Sequence, residues 1–67
     1  MEKIKFSLQL PRKHKVIFIE EQSENKILFE HFGDFPIEEK QDKILSYEQT
    51  LKEIHKLLKY GFEIMAD

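Results

Sequence analysis

Val16-Ile17-Phe18-Ile19 is the stretch from which the rest of the 67-residue chain can be placed. A strand with one wet face alternates apolar and polar residues. Four apolar residues in a row, three of them β-branched, leave neither face polar. A run this short reads as a central strand covered on both sides, and the other segments read as the means of covering it.

Upstream the alternation is strict: Ile4, Phe6, Leu8 and Leu10 point one way, and Lys3, Lys5, Ser7 and Gln9 the other. That pattern predicts a half-buried strand over residues 3–10. Pro11 removes a ladder donor, and Pro11-Arg12-Lys13-His14 makes a short polar connection into a strand over 14–21. Downstream, Gln22-Ser23-Glu24-Asn25 has hairpin composition, with Asn25 suited to a left-handed backbone. A third strand over 26–32 sets Ile27, Phe29 and His31 against Leu28, Glu30 and Phe32, and Gly33 ends it. Connections this short predict an antiparallel meander with the opening stretch in the middle.

After Gly33 the period changes. Residues 36–43 read as a short helix, with Asp34 as N-cap and Pro36 in its first turn; the competing reading is an irregular crossing with Lys43-Ile44-Leu45 extended. Ser46-Tyr47-Glu48-Gln49 has the form of a capping box and predicts a helix over 47–60. Tyr47, Leu51, Ile54 and Leu58 give it a narrow apolar stripe, the expected core contact. Gly61 is placed as the left-handed residue after the helix, with Phe62 folding back on Leu57 or Leu58. Residues 62–65 alternate again, as a fourth edge strand or a packed tail. The expected class is α+β: one domain over 1–67, a three-stranded antiparallel β-meander packed on one main C-terminal helix.

A domain of this length buries only roughly 60% of its unfolded surface and commonly needs a staple. With no cysteine, disulfides, thiolate metal sites and a cysteine nucleophile are excluded together. Self-association is the staple that remains, so a homodimer is expected. Eleven Lys and Arg against thirteen Asp and Glu create no global field toward nucleic acid or an anionic membrane. Met1-Glu2-Lys3-Ile4-Lys5 has no unbroken apolar run, so neither a signal peptide nor a membrane span is expected, and a cytoplasmic location follows.

Recognisable catalytic patterns are missing. Neither glycine has a second close by, which excludes a glycine-rich phosphate loop. His14, His31 and His55 lack metal-ligand spacing; His31 with Asp34 supplies two ligands at most. Ser46 is used as a cap, Ser7 lies on a polar strand face and Ser23 in a turn. The adjacent pairs Glu20-Glu21 and Glu38-Glu39 point apart instead of converging on a substrate. The expectation is a non-enzymatic protein without cofactor, metal or small-molecule substrate.

Two kinds of surface remain. On the helix, Glu53, Leu57 and Tyr60 form one flank, a candidate partner-binding surface because an exposed tyrosine beside a leucine is a typical contact anchor. Lys52, Lys56 and Lys59 form the other, and Arg12, Lys13 and Lys15 could extend it as a phosphate-binding surface. The sheet adds a further one. The helix covers one face only, yet strands two and three carry apolar residues on both, a surplus that signals interaction unless residues 35–45 cover it. The reading that follows is a small accessory or regulatory protein that docks on another protein or a second copy, with nucleic-acid binding as the alternative.

Overall fold

The computed structural model describes residues 3–65. Its sheet is built from β1 (Lys5–Leu10), β2 (Lys15–Ser23), β3 (Lys26–Gly33), β4 (Lys43–Leu45) and β5 (Glu63–Met65), with one α-helix, α1 (Tyr47–Tyr60), between β4 and β5. All neighbours pair antiparallel in the order β4-β3-β2-β1-β5, which puts β2 in the centre. The meander and the main helix agree with the sequence, and the strand after the helix forms on the free edge of β1.

Two left-handed residues fix the turns. Asn25 has φ 60° in the β2–β3 turn, and His14 has φ 52° after the one-turn 3-10 segment Pro11–Lys13, which delays β2 to Lys15. The helix expected over 36–43 shrinks to a single 3-10 turn, Ile37–Glu39, and Pro36 rather than Asp34 precedes it. Its reason is the competing demand of β3, whose outer edge takes up Lys43–Leu45 in pairs Ile27 with Leu45 and Leu28 with Ile44.

Both ends of α1 are capped as the sequence predicts. The Ser46 hydroxyl accepts from the Gln49 amide while the Gln49 side chain accepts from the Ser46 amide. At the other end the Phe62 N–H donates to the Leu57 carbonyl and the Gly61 N–H to that of Leu58, the paired bonds of a Schellman turn. That turn swings Phe62 into the core.

The roll of the helix is not the expected one. Thr50 is buried, and Ile54 and Leu57 pack against the core, while Tyr47, Leu51 and Leu58 are exposed, Leu51 to 61%. The buried stripe is therefore turned by roughly 60° from the Tyr47, Leu51, Ile54 and Leu58 stripe, at 100° per residue. The ends dictate this. The Tyr47 N–H donates to Asn25 Oδ1 at 2.9 Å and the Tyr47 hydroxyl bonds the Glu21 carboxylate, so the first turn is tied to the β2–β3 hairpin. The Schellman turn fixes the last.

Leu8, Ile17, Ile19, Ile27, Phe29 and Phe62 form the buried core, all between sheet and helix. The opening stretch is covered on one side only. Ile17 and Ile19 are fully buried, but Phe18 between them is 46% exposed. From residues 35–45 only Ile44, on the edge strand, faces that side, and it leaves Phe18 uncovered; Phe35 packs against the core on the helix side, with its ring edge-on to His31 at 5.1 Å.

Candidate docking face

The pairing registers define the sheet face turned away from α1. One row is Phe32, Val16, Gln9 and Glu63; the next is Glu30, Phe18, Ser7 and Met65; the third is Ile44, Leu28, Glu20 and Lys5. These rows divide into two halves. β2, β3 and β4 supply Val16, Phe18, Leu28, Phe32 and Ile44 with Glu20 and Glu30, whereas β1 and β5 supply Lys5, Ser7, Gln9 and Glu63 with Met65. Phe18 and Phe32 meet edge to face at 5.3 Å, and Phe32 is 49% exposed. Ile44, 57% exposed beside Leu28, adds to the apolar side chains this face shows to solvent.

Charge on this face is uneven. Glu20 has Lys5 at 3.9 Å, but Glu30 has no Lys or Arg within ion-pair distance among the described residues. Glu30 stands between Leu28 and Phe32 along β3 and opposite Phe18 on β2. Lys26 is four residues along the same strand, roughly 13 Å away.

On the other side of the sheet, a groove of about 490 Å³ lies between α1 and residues 35–43. It gathers the expected partner flank, Glu53, Leu57 and Tyr60, together with Lys15 and Lys56. Leu57 is spent on the core, Glu53 is held by Lys43 at 3.4 Å, and Tyr60 is exposed beside the Phe62 ring. The basic set is divided. Lys15 sits 5.0 Å from the centre of the Phe35 ring, and Lys52 pairs with Glu48 at 3.9 Å. Arg12 and Lys13 are exposed on the β1–β2 connection, and Lys59 is exposed next to His55 and Leu58. Because Glu38, Glu39 and Asp42 also line the groove, its cations do not form a uniform field.

His31 is the one titrating group the groove perturbs. Its Nδ1 is buried without a hydrogen-bond partner among the described residues. Burial, reinforced by Lys43, holds its pKa below the usual histidine value, against the opposing pull of Asp42, Glu53 and Glu39. A histidine with a depressed folded pKa binds protons more readily in the unfolded chain. Stability should accordingly be complete above the ordinary value of 6.5 and fall as pH drops below it. Urea unfolding at stepped pH is expected to show this slope, and His31→Gln to flatten it.

Among the described residues no group of three or more His, Cys, Asp or Glu side chains could hold a metal ion, and no helix is long and apolar enough to cross a membrane. Comparison with protein-family models, curated proteins and solved structures finds no match.

The sequence singled out the helix flank by residue and the sheet surplus only as a set of alternatives. Leu28, Glu30 and Phe32 were legible as one face of the third strand, though not as the face turned away from the helix. Ile44 and Met65 were not, because both belong to three-residue strands whose facing depends on their register with β3 and β1.

Proposed function

We propose that this chain is a non-enzymatic accessory or regulatory protein that acts by docking a partner protein on the open face of β2, β3 and β4. The observation that carries this reading is the solvent-facing Phe18–Phe32 pair, framed by Val16, Leu28 and Ile44, with both rings about half exposed. Aromatic anchors in an apolar centre are the usual source of binding energy at protein interfaces. The area these residues leave in water is available to a partner, since burying apolar surface is favourable by about 25 cal/mol per Å².

Placing a photo-crosslinking amino acid at position 18 or 32 in the cell that makes the protein tests the reading. Discrete adducts with another protein are expected at both positions, and none from a crosslinker at position 55 or 56 on the helix side. Absence of adducts at 18 and 32, or adducts only at 55 and 56, overturns it.

A further inference from the structure

The open face also states what kind of partner fits it. Its apolar half spans β2 to β4, two inter-strand spacings or about 10 Å, which is close to the 10–12 Å diameter of one α-helix. A second sheet stacked on the whole face would additionally dehydrate Lys5, Gln9 and Glu63 on β1 and β5. That cost weighs against a face-to-face homodimer of the kind expected from the sequence.

Glu30 supplies the second constraint. Its carboxylate stands within the apolar half, between Leu28 and Phe32 and opposite Phe18, and no cation of the described chain is close enough to pair with it. Any apolar occupant strips water from this carboxylate. An uncompensated buried charge is strongly unfavourable, whereas one met by a cation with good geometry is not. The occupant must therefore bring its own cation to Glu30, since Glu20, the other carboxylate of this half, already has Lys5 at 3.9 Å.

Resting on the docking reading above, we infer that the partner segment is a basic amphipathic α-helix of another protein. Its apolar stripe lies on Phe18, Leu28, Phe32 and Ile44, and a Lys or Arg at the stripe's edge meets Glu30. Recognition of this type is read as apolar anchors at helical spacing set in a groove or face, with charge fixing orientation.

Two synthetic amphipathic helices of about four turns, one of Leu and Lys and its twin of Leu and Glu, are the probes. Amide shifts of the isotope-labelled protein give location and affinity. The Leu/Lys helix is expected to shift β2, β3 and β4, to weaken with salt, and to lose about tenfold in affinity with Glu30→Gln. Glu24→Gln, which removes one carboxylate at the hairpin tip, should leave that affinity unchanged and so separates docking from general attraction to an acidic protein. The Leu/Glu helix should shift nothing.

Equal binding of both helices, shifts confined to β1 and β5 or to the groove, or no loss with Glu30→Gln would overturn the inference. So would sedimentation of the protein as a dimer that Phe18→Ser converts to a monomer, since the face then belongs to a second copy. A crosslinked partner at position 18 whose contacting segment is not a basic helix would overturn this inference and leave the docking reading standing. Failure of crosslinking at 18 and 32 would remove both.

Discussion

Phe29→Ala is expected to remove a large share of the protein's stability, while Phe18→Ala, on the adjacent strand and the opposite face, is expected to leave most of it. Phe29 is fully buried among Ile19, Ile27 and the helix-side core, so truncation there loses its transfer free energy and leaves a cavity, about 4 kcal/mol in comparable cores. A domain of this size has a total stability of only about 3–10 kcal/mol. Phe18 is nearly half exposed and has its edge-to-face contact with Phe32 to lose, about 1 kcal/mol. Circular dichroism and urea unfolding separate the two. The functional reading depends on the contrast, because a residue held for docking can be removed without loss of the fold. Losses of similar size at both positions would mean that the open face is a second core, and the docking reading would lose its physical basis.

The fold was legible wherever local chemistry and long-range packing agree. Strict alternation over Ile4 to Leu10, the Ser46 capping box and the Gly61 turn each specify their own geometry through near neighbours, and each formed as read. What could not be read depends on distant partners. The helix roll follows from Asn25 and Glu21 holding Tyr47 from twenty or more residues away, so the more regular Tyr47, Leu51, Ile54 and Leu58 stripe lost to Thr50, Ile54 and Leu57. For Lys43–Leu45 the sequence offered both a helix and an extended crossing, and the free β3 edge decided for the extended one.

The candidate site divides along the same line. An apolar run without polar alternation announced that both faces of β2 would carry Val, Ile or Phe, and the structure shows what that means: one face is core and the other is open. The error lay in reading four apolar residues as burial on both sides, when the pattern reports only that neither face is polar. The helix flank was overrated for the converse reason. Leu57 looked exposed on a wheel centred on the wrong stripe, and the true roll spends it on the core, leaving Tyr60 alone at 66% exposure.

Gly33→Ala should be the most damaging substitution outside the core, at about 3 kcal/mol, and its cause is the β1–β2 connection. Gly33 has φ +99°, in the region L side chains rarely adopt. A Cβ there would lie 2.0 Å from the carbonyl oxygen of His14 and 3.0 Å from its carbonyl carbon. Neither neighbour can yield cheaply. His14 is itself left-handed, and its carbonyl accepts the Asp34 N–H at 3.2 Å, so moving it disrupts the start of β2 and the end of β3 together. That end of the sheet carries Val16 and Phe32, which pair across the two strands on the open face. The expected result is therefore a lowered urea midpoint with amide shifts that spread from Gly33 into Val16 and Phe32, and weaker docking in proportion. Gly61→Ala gives the comparison: its φ is also positive at +121°, but an added Cβ meets nothing nearer than Leu10 Cδ1 at 3.4 Å. It should cost less than Gly33→Ala, by the amount that the His14 clash adds to backbone strain alone. If the two lose equal stability, strain and not the close approach of the strands is what Gly33 relieves, and the coupling to the docking face disappears with it.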